Sequence, residues 1–281
     1  MIFVFGERQF DFSSRTFIMG VLNVTPDSFS DGGKFFSVSA AVDHAHRMIA
    51  EGADIIDIGG ESTRPGNRSN LWQVDAEEEL RRVLPVIEQL HHDDKSIVLS
   101  IDTTKASVAE EALLAGACIV NDISGFNADS AMAVVTGKYN ASAVLMHMQG
   151  TPDTMQRNPK YDNVIDDIKK YFYNSIQIAH KAGIQQIIID PGIGFGKNLN
   201  HNLEILRKLR EFQELGFPVL VGPSRKSFIG KITGAAVDQR LAGTAAAVAA
   251  AILGGAQIVR VHDVGFMKQV CLVTDALVHT V

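Results

Sequence analysis

The residues of this chain that could do chemistry share one setting, the end of a short apolar run. Asp102, Asn121 and Asp190 each close such a run, and Arg260 and His262 alternate on the last one. Carboxylates and an amide offer hydrogen-bond acceptors, which suit a flat heterocycle that presents an amino group and a ring N–H. Arginine and histidine suit an anion such as a phosphate. These residue types predict a site that binds a polar heterocycle together with an anion.

Two loops near these runs carry further candidates. Residues 23–33 hold Pro26 and Phe29 among Ser, Thr and Asp, and they end in two glycines. Such a loop can order over a ligand, although an ordinary connection between a strand and a helix is the alternative. Residues 62–66 include Arg64, which can offer a bidentate fork to a phosphate. The first loop is predicted to cover a ligand, whereas Arg64 alone leaves the question open for the second.

Lys226 and His147 are less specific candidates. Lys226 directly follows Ser224 and Arg225 at the end of a run, so we expect it to donate to a ring atom of the heterocycle rather than to be a solvated lysine. His147 either lines the pocket or bonds to the backbone, and both interpretations stay open. The chain has no Cys/His metal cluster, no Ser-His-Asp pattern and no phosphate-binding glycine loop, so a covalent nucleophile is not indicated.

Short apolar runs, rich in Val and Ile, alternate along the chain with patterns typical of helices. The predicted strands are 17–22, 54–58, 97–101, 118–121, 142–147, 186–190, 218–221 and 257–261. The predicted helices are 38–51, 75–90, 105–115, 128–137, 163–182, 199–215, 237–253 and 264–279. Runs that are apolar on both faces are typical of a parallel sheet covered by helices. Eight such units predict a (β/α)8 TIM barrel, whose active site lies at the carboxyl ends of its strands.

The N-terminal residues are left over from the eight units. Residues 2–5 and 9–12 predict a short β-hairpin that plugs the bottom of the barrel. A doubly wound sheet is the alternative fold, but the glycine-rich run 192–196 follows the sixth strand and lacks the dinucleotide-binding spacing. In a closed barrel the first and last strands are neighbours, so Asn23 would lie near Arg260. Asn23 could then hold a Mg2+ ion together with phosphate oxygens.

Composition argues against several classes of partner. The 281 residues carry a formal net charge of -6, so the overall field attracts neither nucleic acid nor an anionic membrane. No apolar run reaches the ~18 residues of a membrane span, and the first residues do not resemble a signal peptide. A cytoplasmic location is therefore expected.

Cys118 and Cys271 lie in apolar contexts and are predicted to be reduced core thiols rather than a disulfide.

Six stretches of the chain are long and specific motifs. They are Asn-Val-Thr-Pro-Asp-Ser-Phe-Ser-Asp-Gly-Gly at 23–33, Gly-Gly-Glu-Ser-Thr-Arg-Pro-Gly at 59–66, Met-His-Met-Gln-Gly at 146–150, Asp-Pro-Gly-Ile-Gly-Phe-Gly-Lys at 190–197, Ser-Arg-Lys-Ser-Phe at 224–228 and Arg-Val-His-Asp-Val at 260–264. In their order along the chain, from about residue 16, they closely resemble the dihydropteroate synthase family. The resemblance implies one pterin-binding TIM-barrel domain over 1–281. It also implies a transferase of folate biosynthesis that joins 4-aminobenzoate to 6-hydroxymethyl-7,8-dihydropterin diphosphate and releases pyrophosphate.

The resemblance also implies roles for individual residues. The pterin ring would be held by Asp102, Asn121, Asp190 and Lys226, with Met146 lining its pocket. The diphosphate and Mg2+ would be held by Asn23, Arg260 and His262, with Thr63 and Arg64 binding the diphosphate or organising the loops. The aminobenzoate would be framed by Phe29, Pro65, Phe195, Ser224 and Lys226, with Ser224 at a helix N-terminus. The residues expected to act in catalysis are Asp102, Lys226, Arg260 and His262.

Partners and rival interpretations follow from the same comparison. Sulfonamides mimic 4-aminobenzoate and are expected inhibitors, and the family usually forms homodimers. The helices near 244–253 and 264–279 are the candidate dimer surfaces. A pterin-binding methyltransferase barrel is one rival, but it would lack the two substrate loops. A non-catalytic paralogue is the other, and it would have lost Lys226, Arg260 or a loop, all of which this chain retains.

Overall fold

Eight parallel strands surround the centre of the structure, a computed structural model that describes residues 1–25, 38–61 and 74–278. With the two strands of the N-terminal hairpin, the described residues contain ten strands: β1 (Ile2–Phe5), β2 (Arg8–Asp11), β3 (Phe17–Asn23), β4 (Ile55–Gly59), β5 (Val98–Asp102), β6 (Ile119–Asp122), β7 (Ser142–Met146), β8 (Ile187–Asp190), β9 (Leu220–Val221) and β10 (Ile258–Val261). Strands β3 to β10 pair in the order β8, β7, β6, β5, β4, β3, β10, β9. A parallel bridge from Ile189 of β8 to Val219 joins the two ends of this order, which confirms the predicted barrel.

Helices cover the outside of the barrel. They are α1 (Val38–Ala50), α2 (Ala76–Asp93), α3 (Ala106–Leu114), α4 (Met132–Lys138), α5 (Val164–Lys181), α6 (Leu199–Arg207), α7 (Ser227–Thr233), α8 (Leu241–Leu253) and α9 (Val264–Val278). Their apolar faces and the outward side chains of the strands form the larger of two main core clusters. At the helix-to-strand joins, the backbone φ angles of Gly52, Gly116, Gly183 and Gly216 are positive, a conformation that favours glycine at the end of a helix.

One predicted helix, 199–215, divides in two. After α6, a 3-10 helix covers Leu209–Leu215. Leu209, Phe212 and Leu215 are three residues apart, a spacing that places them on one face of a helix with three residues per turn. Leu209 and Phe212 are fully buried there. The apolar period of three therefore explains why the second half is not an α-helix.

Three other helices differ from the prediction by four residues or more. α4 begins at Met132 rather than at 128. α8 begins at Leu241 rather than at 237, because a short 3-10 helix over Val237–Gln239 precedes it. α7 was not predicted from its pattern at all. Its seven residues are too few to show a helical period, which needs a window of about 11 residues or more.

The N-terminal hairpin closes the bottom of the barrel, as predicted. β1 and β2 pair antiparallel, with Phe3 opposite Phe10. The hairpin and the strands together form a second, separate core cluster. Its buried members are Phe3, Phe5, Phe10, Phe12, Phe17, Met19, Ile55, Val98, Ile119, Val144, Ile188, Leu220 and Ile258. Because this apolar cluster fills the lower end, a ligand must enter from the carboxyl ends of the strands.

Two expectations from the composition concern the state of the cysteines and the presence of membrane-spanning helices. Cys118 and Cys271 are free, as predicted. Burial raises the pKa of Cys118 to about 11 and that of Cys271 to about 12, so both thiols stay protonated near neutral pH. Among the helices of the described ranges, none is both long and apolar enough to cross a membrane.

Phe10→Ala tests whether the hairpin is part of the core. Phe10 is fully buried, and its ring centroid lies 4.8 Å from that of Phe5 and 4.6 Å from that of Phe17. Truncation removes apolar burial and leaves a cavity, so the free energy of unfolding should fall by about 3–5 kcal/mol in urea titrations. Ile2→Ala, on the exposed side of the same hairpin, is the matched control, and it should change this energy by less than about 0.5 kcal/mol. Equal losses in both variants would contradict the core role.

Candidate active site

A buried carboxylate, Asp57, lies inside the mouth of the barrel. It belongs to β4, whose five residues are all buried, and its side chain has no access to solvent. Asp57 Oδ1 accepts a hydrogen bond from Ser100 Oγ at 2.6 Å. Asp57 Oδ2 accepts from Asn121 Nδ2 at 2.9 Å and from Arg260 Nε at 2.6 Å. Strands β5, β6 and β10 thus each contribute a partner to this single charge.

Arg260 links Asp57 to Asp102. Its Nη2 donates to Asp102 Oδ2 at 2.6 Å, next to the bond from Nε to Asp57. Burial acts to lower the pKa of Arg260, but the two carboxylates outweigh it and raise that pKa, so the guanidinium is charged. Burial raises the pKa of Asp102 to about 7, an effect that Arg260 opposes and Asp57 reinforces. Asp102 can therefore change its protonation state near neutral pH.

Asp190 and Lys226 form a second group of charges at the mouth. Burial raises the pKa of Asp190 to about 6, although the N–H of Gly192 donates to its Oδ1 at 2.7 Å. Burial, reinforced by the charge of Arg260, lowers the pKa of Lys226 to about 8, while Asp190 opposes the shift. Both pKa values therefore lie near neutral pH, where each group could exchange a proton with a ligand.

Apolar side chains line the same region. Ile123, Met146, Met155 and Phe195 form a small buried cluster of their own. The ammonium of Lys226 lies 3.8 Å from the ring centroid of Phe195, which is within the range of a cation–π contact. Apolar walls with a few convergent polar groups are typical of small-molecule sites.

A cavity of about 410 Å3 adjoins Asp102. It is lined by Ile123, Ser124, Met148 and Tyr171, among others, and its size is that of a small-molecule pocket. Of the predicted site residues that the structure describes, only Asp102 lines this cavity. The site therefore has room beside the strand ends.

Ser224 and His262 face each other across β9 and β10. The backbone N–H of His262 donates to Ser224 Oγ at 3.3 Å, and the hydroxyl lies 2.9 Å from His262 Nδ1. Burial, with Arg260 and Arg225 nearby, lowers the pKa of His262 to about 3, so the imidazole is neutral. Ser224 lies three positions before Ser227, the first residue of α7, and the N-cap position of that helix is Lys226. The Ser224 hydroxyl therefore contacts His262 and does not cap α7.

Asn23 is the predicted metal ligand and ends β3 beside Gly59 of β4. β3 also pairs with β10, as the closed barrel required. Groups of three or more His, Cys, Asp or Glu side chains that could hold a metal ion do not occur in residues 1–25, 38–61 and 74–278. An oxygen donor without a protein cage fits Mg2+, which commonly takes one or two protein ligands and completes its shell with phosphate oxygens and water.

The predicted site residues divide into two sets. Those brought together at the barrel mouth are Asn23, Asp102, Asn121, Met146, Asp190, Phe195, Ser224, Lys226, Arg260 and His262. The others, Phe29, Thr63, Arg64 and Pro65, lie outside the described residues. Asp57 was not assigned a role, although a charged residue inside the apolar run of β4 was a signal for it. Lys197, buried beside His147, was also missed and carried no comparable signal.

The fold and this site define a barrel enzyme whose mouth offers an acceptor-rich wall, two cationic side chains and an apolar surface. This arrangement can bind a flat heterocycle through its donors and can stabilise charge that develops on a ligand. Positioning and electrostatics are the means of catalysis that such a site has.

Comparison with known proteins identifies the family. The chain matches the pterin binding enzymes over residues 19–262. The dihydropteroate synthase of Synechocystis sp. is 49% identical over 279 residues, which cover 97% of this chain and 93% of that protein. The Yersinia pestis dihydropteroate synthase in complex with a sulfonamide drug has a TM-score of 0.90 and 42% identity, covering 99% of this chain and 98% of that one. The Xanthomonas albilineans enzyme with 4-aminobenzoic acid has a TM-score of 0.88 and 42% identity, covering 98% and 97%. The chain therefore belongs to the dihydropteroate synthases, transferases of folate biosynthesis within the pterin binding enzymes.

Asp102→Asn tests the raised pKa of Asp102. In the unfolded chain this carboxyl has an ordinary pKa near 3.8, whereas in the folded chain it is about 7. The folded state therefore binds the proton first as the pH falls, so wild type should gain stability relative to Asp102→Asn between pH 7 and pH 4. Urea titrations across this range measure the difference. Asp94→Asn is the control, because a hydrogen bond from Ser96 lowers the pKa of Asp94 and no such gain is expected. A difference that is constant with pH would contradict the assignment.

Proposed function

We propose that this chain condenses 6-hydroxymethyl-7,8-dihydropterin diphosphate with 4-aminobenzoate to give 7,8-dihydropteroate and pyrophosphate. The observation that carries the proposal is the joining of Asp102, Asn121 and Arg260 through buried Asp57, in a chain that belongs to the dihydropteroate synthases. The complexes of the relatives with 4-aminobenzoic acid and with a sulfonamide drug support the second substrate and the inhibitor class.

Recognition of the pterin would rest on the acidic wall. Asp102, Asn121 and Asp190 would accept hydrogen bonds from the amino group and ring N–H of the pterin. Lys226 would donate to a ring oxygen or nitrogen. The raised pKa of both carboxyl groups supports this role. Burial disfavours their charged forms although Arg260 and the Gly192 N–H each donate to one of them, so further donors from a pterin ring would stabilise the ionised acids.

Departure of pyrophosphate would depend on the cations at the mouth. Arg260 would stabilise the negative charge that grows on the leaving group, and the neutral imidazole of His262 would donate a hydrogen bond to it. An anion beside His262 would also raise its pKa. Asn23 is the residue that would hold Mg2+. When bound, that ion would neutralise part of the diphosphate charge.

The substitution would be dissociative. The bond between the exocyclic methylene carbon and the diphosphate oxygen breaks first, and its electron pair leaves with pyrophosphate. The electron-rich dihydropterin then carries the positive charge, which ionised Asp102 and Asp190 would stabilise. The amino nitrogen of 4-aminobenzoate attacks the methylene and loses a proton. Phe195, Ser224 and Lys226 would position this second substrate, with sulfonamides competing for the same place.

A pyrophosphate-release assay with both substrates and Mg2+ tests this function. Wild type should release pyrophosphate much faster when 4-aminobenzoate is present, because the amine traps the pterin cation. Lys226→Ala and Arg260→Ala should each lower kcat/KM by about 100-fold or more, because each removes an electrostatic contact that the transition state needs. Lys208→Ala and Arg81→Ala, two exposed cations that pair with neighbours on their own helices, are matched controls and should retain activity.

Two results would contradict the proposal. Pyrophosphate release that 4-aminobenzoate does not accelerate, with no dihydropteroate formed, would exclude the condensation. Absence of turnover with retained binding of the pterin diphosphate in calorimetry would favour a methyltransferase-like or non-catalytic pterin binder. Circular dichroism of both site variants must match wild type, since Arg260 pairs with the buried charge of Asp57.

We also propose that two copies of this chain pair through α8 and its neighbour α9. Both helices leave large apolar side chains exposed, namely Leu253, Phe266, Leu272, Val273 and Leu277. An apolar groove of about 400 Å3 also runs between α6, α7 and the alanine-rich face of α8. Exposed apolar area that continues over neighbouring helices is typical of a protein–protein interface.

Val273→Glu tests this pairing. Val273 is 66% exposed on α9, so a charge there should leave the fold intact and convert a dimer into a monomer. Sedimentation velocity measures the change. Val134→Glu is the matched control, because Val134 is 64% exposed but lies on α4. A monomeric wild type, or a Val273→Glu variant that still pairs, would contradict the proposed interface.

A further inference from the structure

The turn after β8 is held by a buried lysine that the proposed mechanism does not use. Lys197 is 2% exposed, and its Nζ donates to the carbonyl oxygen of Phe195 at 2.8 Å. The same nitrogen lies 2.9 Å from His147 Nδ1 and donates to the carbonyl oxygen of His147 at 3.3 Å. Lys197 therefore ties its own turn to the residue that follows β7.

These contacts satisfy the ammonium group completely. A lysine ammonium has three hydrogens, and three acceptors surround it here. Burial lowers the pKa of His147 to about 2, so the imidazole is neutral and its Nδ1 can accept. Burial also lowers the pKa of Lys197 to about 7, which Asp190 opposes. If the ammonium lost a proton, only two N–H donors would remain for three acceptors. One acceptor would then be unpaired, which is unfavourable in a low-dielectric interior.

The contact to Phe195 connects Lys197 to the site. The Phe195 ring lies under the ammonium of Lys226, while the Phe195 carbonyl is held by Lys197. The backbone is also close to Lys226 at Gly194, where an added Cβ would lie 2.9 Å from Lys226 Cδ. A small shift of this turn would therefore move the ring and the ammonium relative to each other.

We infer that Lys197 is a positioning residue for the 4-aminobenzoate side of the site. It holds the Phe195 backbone against the end of β7 and so fixes the aromatic face that frames this substrate. The inference rests on the proposed function and adds a residue to it. Within the pterin wall, Asp102 and Asn121 are linked through Asp57 and Arg260 without any contact to Lys197, so loss of Lys197 should affect 4-aminobenzoate more than the pterin.

Lys197→Met tests the inference, because methionine has a similar length but neither donor nor charge. We expect the KM for 4-aminobenzoate to rise about tenfold or more, with the KM for the pterin diphosphate within about threefold of wild type. Calorimetric binding of 4-aminobenzoate gives the same comparison without turnover. Tyr161→Phe is the matched control: it removes a 2.8 Å bond to the next carbonyl, that of Gly196, but not the bond to Phe195. It should leave both KM values within about threefold.

A double-mutant cycle separates positioning from general stabilisation. If Lys197 acts through Phe195, then Lys197→Met should change the KM for 4-aminobenzoate by less than about twofold in a Phe195→Leu background. If Lys197→Met does not fold, Lys197→Gln takes its place, because its amide retains donor hydrogens, and it should give a smaller rise of the same kind.

The outcomes distinguish this inference from the proposed function. Three results would each overturn the inference and leave the proposed function intact. The first is a KM for 4-aminobenzoate in the Lys197 variants equal to that of an active wild type. The others are an equal rise in the KM for both substrates, and additive effects of the Lys197 and Phe195 substitutions on the KM for 4-aminobenzoate. A wild-type chain that neither turns over nor binds 4-aminobenzoate would overturn the proposed function, and the inference with it.

Discussion

The barrel mouth depends on the pairing of one fully buried charge, that of Asp57. A carboxylate without access to water is destabilised unless hydrogen bonds and an opposite charge replace its hydration. Ser100, Asn121 and Arg260 supply these from three other strands. Because breaking such a pair typically costs about 3–5 kcal/mol, the register of four strands is coupled to one side chain. The same coupling holds Arg260 beside Asp102, where the chemistry is proposed.

Proton affinities at the mouth follow from this arrangement. The interior disfavours every charge, so the pKa values of Asp102 and Asp190 rise while those of Lys226 and His262 fall. Burial thereby disfavours the charged form of each of these groups, and the hydrogen bonds and charges of a bound ligand would favour it. A site of this kind favours a ligand that carries both donors and an anion. The apolar hairpin fills the opposite end of the barrel, so only the mouth is open to a ligand.

Much of the fold was predictable because its signals are local and periodic. The apolar runs of the strands and the long amphipathic helices repeat over many residues, and the hairpin alternates visibly in Phe3, Phe5, Phe10 and Phe12. α7 and the 3-10 helix over Leu209–Leu215 were missed or merged because each has only seven residues. The polar strand ends were also correctly placed at one mouth, since parallel strands in a barrel all point the same way. The extent of the domain, 1–281, and the roles of Phe29, Thr63, Arg64 and Pro65 remain predictions.

The sequence by itself determined the order of the strands and helices, the residue types at the strand ends and the family that their motifs resemble. Only the tertiary structure decided which charges meet. The partners of Asp57 are 43, 64 and 203 residues away along the chain, so no local pattern could reveal them. Likewise, the neutrality of His262 and the burial of Lys197 follow from their surroundings in space. Residue type sets which proton or charge a side chain can carry, but desolvation and distant neighbours decide whether it carries it.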